Sequence, residues 1–371
     1  MRQHTTPLLS PAVGTRREIT SFHFGTPGDG EKIYIQSSLH ADETPAMLVS
    51  VLLRRRLEQL EADGALASEI VLVPVANPVG LAQYVLGQFI GRFDLASGKN
   101  FNRHFVDLAK LAGNAREQFG DDAQRNKALI RSVLRDALAA LQPLTEYESL
   151  QRTLLALSVD ADVVIDLHCS LEAAMHLYTS EVAWPEFEPL ARYLGAEASL
   201  LATDSGGQAF DEAHSLCWWT LQQHLPEGTP LATGAIATTI ECRGQRDVTY
   251  EIAQQDADAI IEFLRARGAI RGTAKPLPPL LTLATPLAGS EQFYAPTSGI
   301  VVHRAPIGAT IRAGDPLFDI VDPLTDATTT LHSHTDGVFY MRRAIRFATA
   351  GAPLGRVTGT RPIRTGVLLG A

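Results

Sequence analysis

The sequence predicts an α/β fold with a central, mainly parallel or mixed sheet flanked by helices, followed by a small all-β, barrel-like domain. Three observations predict it. Short apolar runs alternate with stretches of helical periodicity through the first two thirds of the chain, the pattern of strand–helix units laid on a sheet. A proline-rich stretch, Gly272-Thr-Ala-Lys-Pro276-Leu-Pro278-Pro279, then interrupts it. Beyond that point the helical pattern is almost lost, and short strands with glycine turns repeat. At 371 residues the chain exceeds one comfortable core. Residues 1–275 are expected to form one domain and residues 285–371 a second.

Lys32-Ile-Tyr-Ile-Gln36 reads as a strand that runs into Ser37-Ser-Leu-His40-Ala-Asp-Glu43-Thr-Pro-Ala46. Met47 to Leu60 follows with apolar residues at helical spacing. Val71-Leu-Val-Pro-Val75 is a second strand, ending in the turn Ala76-Asn-Pro-Val-Gly80. Lys110 to Leu141 and Leu144 to Leu157, rich in Ala, Leu, Arg and Gln, read as helices and form a helical insertion at about 106–158. Ala161-Asp-Val-Val-Ile165 and Ile236-Ala-Thr-Thr-Ile240 are short apolar runs typical of buried strands. Glu186 to Leu194, Leu216 to His224 and Tyr250 to Arg267 complete the helices.

The chemistry-bearing residues sit at the ends of these strands, where open α/β sheets place their sites. His40 and Glu43 lie at a strand-to-helix turn and can close on one metal ion. Asp166-Leu-His168 follows a buried strand and offers a third ligand. Two histidines and a glutamate are the ligand set of an open catalytic zinc site, with the fourth position free. A lone HxxE is a weak pattern, but other parts of a hydrolase site follow in order. Asn102-Arg103, preceded by Arg92, offers an amide and a planar guanidinium suited to a substrate carboxylate. Glu241, closing the strand at 236–240, is placed to act as a general base. Asp166 is a candidate for orienting the site.

This ordered set resembles the succinylglutamate desuccinylase and aspartoacylase family, a branch of the zinc carboxypeptidase-like hydrolases, over roughly residues 30 to 265. The resemblance implies one Zn²⁺ per chain on His40, Glu43 and His168, with Glu241 activating water. It implies that Asn102 and Arg103 hold the substrate carboxylate and that Arg92 polarises the scissile carbonyl. The chain departs from the family pattern in having Ala41 for a glycine and Asn100 for an aspartate. It also has no arginine in the ten residues before Glu241, where some relatives hold a second carboxylate contact, leaving Arg243 or Arg246 as substitutes.

After the linker, Ser298-Gly-Ile300, Ala313-Gly-Asp-Pro-Leu317 and Ile320 match Asp336-Gly-Val338, Ala350-Gly-Ala-Pro-Leu354 and Val357. This duplication resembles the biotinyl/lipoyl carrier fold, but no lysine follows Lys275, so a carrier role is excluded. His332 and His334 are expected on a solvated strand edge. The net charge of −9 argues against nucleic acid or an acidic membrane surface as the main partner. No run approaches a membrane span, and the first twenty residues hold no apolar core of signal-peptide length. Three cysteines without metal-type spacing fit a reducing compartment, and a cytoplasmic location is expected. The expected activity is zinc-dependent removal of an acyl group from a small N-acyl substrate with a carboxylate. A zinc carboxypeptidase acting on short peptides and a zinc-binding regulatory module without catalysis are the alternatives. The sequence leaves a homo-oligomer open.

Overall fold

The computed structural model describes residues 1–113 and 115–369. The chain opens with an antiparallel pair, β1 (Arg2–Pro7) and β2 (Glu18–Phe24), which the sequence pattern does not announce. β3 (Lys32–Ser37) leads into α1 (Thr44–Ala62), and β4 (Glu69–Val73) into a one-turn helix, α2 (Pro78–Leu81). A small hairpin of β5 (Tyr84–Val85) and β6 (Gln88–Phe89) follows. The insertion contributes α3 (Leu108–Leu111), α4 (Ala123–Ala140) and α5 (Glu146–Ser158). The continuous helix expected from Lys110 to Leu141 is therefore wrong. Gly113 turns the chain at φ +53°, and Asp122 starts a new helix by accepting from the amides of Gln124 and Arg125.

The remaining elements of the large layer are β7 (Val163–Ser170), β8 (Glu172–Ala173), β9 (His176–Thr179), α6 (Trp184–Leu194), β10 (Ala198–Leu201), α7 (Phe210–Gln223), β11 (Ile236–Gly244), α8 (Tyr250–Ala266) and β12 (Thr285–Pro286). Among the described residues one sheet runs in the order β1-β2-β4-β3-β7-β11-β9-β10-β12. Its centre, β4-β3-β7-β11, is parallel, and β9 enters antiparallel beside β11.

Alternation along the strands sorts side chains onto two faces. Ile33, Ile35, Ile165 and Leu167 pack with α1, α6 and α8, through residues such as Leu53, Phe187 and Ile260. Tyr34, Val71 and Val164 face the other way, against Ile130, Leu134, Leu150 and Phe210 of α4, α5 and α7. The result is a three-layer sandwich whose parallel strands are buried on both sides. No helix among the described residues is long and apolar enough to cross a membrane.

The C-terminal strands are β13 (Glu291–Tyr294), β14 (Gly299–His303), β15 (Thr310–Ile311), β16 (Pro316–Val321), β17 (Thr328–His332), β18 (Gly337–Arg342), β19 (Phe347–Ala348) and β20 (Pro353–Val357). The sequence repeat is a structural one. In each half a long strand, a short strand and a second long strand follow in order, and the short strands are exchanged: β15 pairs β18, and β19 pairs β14. Their shared core is Phe293, Val301, Leu317, Phe318, Phe339, Leu354 and Val357. Two pairings tie this part to the large layer. β8 joins β18, and β12 extends the central sheet beside β10.

Candidate active site

β3 ends at a turn where Ser38 lies in the left-handed region (φ 66°), an uncommon conformation for a residue with a side chain. Two residues later His40 points into a cavity, and Glu43 occupies the N-cap of α1. An N-cap side chain ordinarily bonds to the first-turn amides, but Glu43 makes no such bond. Its carboxylate is instead shared among His40 Nδ1 (3.0 Å), His168 Nδ1 (2.7 Å) and Arg92 Nη1 (3.0 Å). One ligand atom each from His40, Glu43 and His168 lies within 4.8 Å of the others, and all three residues are buried.

The far nitrogens of both rings are tied down. His40 Nε2 donates to Asn100 Oδ1 at 2.8 Å, and His168 Nε2 donates to Asp166 Oδ2 at 2.9 Å. With each Nε2 committed to a fixed acceptor, Nδ1 is the ring atom turned toward Glu43, the orientation that metal-ligating histidines adopt. Burial and the Arg92 charge lower His40 to about 4, which favours the neutral ring. Burial also disfavours a charged His168, but Asp166 and Glu43 reverse this and hold it well above the usual imidazole range. Burial pushes the Glu43 carboxyl upward, yet the two histidines more than offset it and keep Glu43 ionised. The donor set therefore fits a divalent cation. Among the described residues it is the one group that does; His334 is instead paired with Glu291, and His332 is exposed at the end of β17.

Asn100 and Arg92 reach the site because the loop between them folds back. Phe93 and Asn100 form an antiparallel bridge, and the Phe101 amide donates to the Arg92 carbonyl at 3.1 Å. That fold closes the long spacing between Arg92 and the Asn-Arg pair. Arg92 is thus engaged with Glu43 itself. Asn102 is held by the Phe210 amide, which donates to its Oδ1 at 2.8 Å, and its Nδ2 lies 3.4 Å from His168 Nε2. Arg103 is buried, donates to the Asn102 carbonyl at 2.6 Å, and lies in the field of Glu212 and Asp211. The insertion supports this loop: Tyr147 donates to the carbonyls of Asn100 and Arg103, and Gln151 to that of Arg103. No sequence signal links α5 to the site, since tyrosine and glutamine there read as ordinary helix residues.

Glu241 stands opposite His168 in the parallel β7–β11 pairing. The register slips between Glu241 and Gly244, with Arg243 at φ 64°, so the strand bends where the carboxylate enters the cavity. Burial and the nearby Glu43 charge raise Glu241 to about 7. Arg243 does not take part. Among the described residues its two side-chain hydrogen bonds, 3.0 and 2.8 Å, both go to Asp256, so it is not the substitute carboxylate contact considered from the sequence.

The cavity of about 350 Å³ is lined by His40, Glu43, Arg92, Asn102, Arg103, His168 and Glu241, so these seven side chains share one space, whereas Asp166, Arg243 and Arg246 do not line it. Its other wall comes from the C-terminal part and includes Gln292, Tyr294, Arg343, Arg356 and Arg364, none of which the sequence pattern singles out.

Residues 29–140 match the family model of the succinylglutamate desuccinylase/aspartoacylase catalytic domain. No curated protein matches the chain significantly. A solved succinylglutamate desuccinylase/aspartoacylase family protein from Shewanella amazonensis is 28% identical with a TM-score of 0.83, over 96% of this chain and 98% of that one. A second, from Shewanella frigidimarina, is 25% identical with a TM-score of 0.83, over 96% and 97%. A succinylglutamate desuccinylase/aspartoacylase from Rhodobacter sphaeroides, 15% identical with a TM-score of 0.67 over 97% and 96%, shares the fold.

Proposed function

We propose that this chain, whose residues 29–140 match the succinylglutamate desuccinylase/aspartoacylase catalytic domain, is a zinc-dependent amidohydrolase that removes the acyl group from an N-acyl amino acid. The observation that carries the reading is the convergence of two oriented imidazoles on Glu43 beside an independent carboxylate, Glu241, in one cavity. His40, Glu43 and His168 would hold one Zn²⁺, although this donor set also accepts other divalent ions. When bound, the metal supplies polarisation of the amide carbonyl and makes a nearby water more acidic.

The chain's own residues do the rest. Asp166 and Asn100 fix the tautomers and ring planes of His168 and His40. Glu241 takes the proton of the attacking water at a carboxylate oxygen and returns it to the departing amine nitrogen. Its raised proton affinity suits both halves of that transfer, because a group poised near neutrality can accept and then release a proton. Asn102 and Arg103 orient the substrate through its carboxylate. Arg92, already beside Glu43, is placed to stabilise negative charge on the carbonyl oxygen.

The small cavity, walled by the C-terminal strands, favours an N-acyl amino acid over a peptide. Three free, buried thiols, Cys169, Cys217 and Cys242, fit the reducing cytoplasm that we take as the location. A panel of N-acyl amino acids and short peptides, incubated with zinc-loaded protein, tests the reading. Release of free amino acid from the N-acyl compounds supports it. Cleavage of peptides alone would make the protein a carboxypeptidase, and no cleavage of either would leave a binding module.

A further inference from the structure

The segment after β20, residues 361–369, has no regular structure, yet it is tied to two parts of the molecule at once. At one end the Ile363 and Arg364 amides both donate to the Ala288 carbonyl, at 2.9 and 3.1 Å, beside the start of the barrel. At the other the Leu368 amide donates to the Ser205 carbonyl at 2.8 Å, in the loop between β10 and α7. Arg364 spans the two ends. It donates to the Leu287 carbonyl at 3.0 Å and to the Leu368 carbonyl at 2.9 Å. Ile363 and Val367 face solvent, whereas the Leu368 side chain is buried among Leu200, Leu287, Val338 and Tyr340. A buried anchor in an otherwise exposed stretch is the pattern of a fastened strap.

The loop that it fastens, residues 203–208, lies between the strap and the Asn102–Arg103 segment. On the strap side, a Cβ added at Gly206 would lie 3.0 Å from Val367 Cα. On the inner side, one added at Gly207 would lie 2.8 Å from Cδ and Nε of Arg103. Bare backbone therefore presses on the stem of the Arg103 side chain. The His104 and Phe105 amides donate to the carbonyls of Gly207 and Gln208, both at 3.2 Å, and the Phe210 amide holds Asn102 Oδ1 at 2.8 Å. Bonds of 3.2 Å stand at the long end of the useful range. Gly206 (φ 84°) and Gln208 (φ 50°) both lie in the left-handed region, which is unfavourable for glutamine. A loop so built opens readily unless something outside supports it. Val367, Leu368 and Leu369 line the cavity together with Arg103, so the support and the reaction site share one space.

We infer that residues 361–369 are a strap that presses the 203–208 loop onto Asn102 and Arg103, and that Arg364 and Leu368 are positioning residues for the Arg103 guanidinium. A displacement of about 1 Å in a group that orients a substrate costs up to roughly 100-fold in rate, so the strap acts on catalysis without touching substrate. That effect rests on the reading of Arg103 as the contact for the substrate carboxylate; the mechanical coupling of strap, loop and Arg103 does not.

Hydrogen–deuterium exchange on the full-length, zinc-loaded protein tests the coupling, with Arg364→Met, Arg364→Lys and Leu368→Ala set against wild type. Exchange in peptides covering 102–106 and 203–210 should quicken by about tenfold or more in Arg364→Met and Leu368→Ala, and Arg364→Lys should recover part of the protection. β7 and β11, which carry His168 and Glu241, should exchange as in wild type, with zinc content unchanged. On the N-acyl amino acid that wild type cleaves fastest, Arg364→Met and Leu368→Ala should raise KM by about tenfold and leave kcat within about twofold. The matching amide, which lacks the carboxylate, should show no such rise. Faster exchange confined to 361–369 overturns the coupling, as does a uniform rise that includes β7 and β11. Coupled exchange with an unchanged KM overturns the positioning of Arg103. If no N-acyl compound is cleaved, the deacylase reading fails, and exchange at 102–106 alone decides the strap.

Discussion

Single side chains at this site are committed to one task at the expense of another. Glu43 gives up helix capping to gather two imidazoles and a guanidinium. Among the described residues the Glu241 carboxylate is kept from any strong partner, since its one hydrogen bond, from Ser170, is 3.5 Å long. A base must be ionised to act, so kcat/KM should fall as pH drops through the Glu241 pKa. Burial and Glu43 place that pKa at about 7, and a cation engaged with Glu43 removes part of the repulsion and shifts the limb to lower pH. In Glu241→Gln this acid limb should disappear from the residual rate; an unchanged limb would assign the titration to another group. Asp166 tests orientation in the same way. It receives Nε2 of His168 on one oxygen and Gln36 on the other, so Asp166→Asn should weaken metal affinity by roughly 10–100-fold without changing the ligand set. Equal affinity in a metal titration would make Asp166 merely a buried polar residue.

The elements that carry these side chains meet through close backbone approaches. Ala41 donates to the Gly91 carbonyl, and a Cβ added at Gly91 would lie 2.2 Å from the Asp42 amide, which backbone cannot relieve locally. Gly91→Ala should therefore displace the His40–Glu43 turn, seen as lost zinc affinity with far-ultraviolet circular dichroism preserved. Intact affinity would show that the turn can shift without cost. This packing also explains what was legible in the sequence. The strand–turn–helix frame around His40, the strands bearing His168 and Glu241, and the C-terminal repeat each leave a local pattern of apolar spacing or glycine turns. The β1–β2 hairpin does not, because β1, at the edge of the sheet, is almost entirely exposed and mostly polar. The break between α3 and α4 is hidden among good helix formers, where a glycine and a capping aspartate decide the outcome. The support of the Asn-Arg loop by Tyr147 and Gln151, and the closeness of Arg92 and Asn100, depend on contacts far apart in sequence. No spacing rule reports those.

At the scale of the whole molecule the C-terminal strands and the catalytic layer share surfaces. Ala198 and Leu200 pack with Leu287, Val338, Tyr340 and Leu368 in one buried cluster, and β8 is a catalytic-layer strand paired to β18. We propose that the two parts are distinct units that nevertheless stabilise each other. Expressing residues 1–275 alone should expose that cluster and an unpaired β8, giving a lower thermal midpoint and a tendency to associate. A fragment as stable and as active as the full chain would show that the interface contributes nothing. Solubility and assembly state are read by scattering on the same samples. We propose that a metal held by His40, Glu43 and His168 works with Glu241, a residue that does not bind it. Metal content and amide turnover measured together on wild type, His168→Ala and Glu241→Gln test this most directly. Wild type should hold one zinc per chain and turn over, His168→Ala should lose both, and Glu241→Gln should keep full zinc with kcat lower by roughly 10²–10⁴-fold. A full zinc complement in His168→Ala, or unaltered turnover in Glu241→Gln, would contradict it.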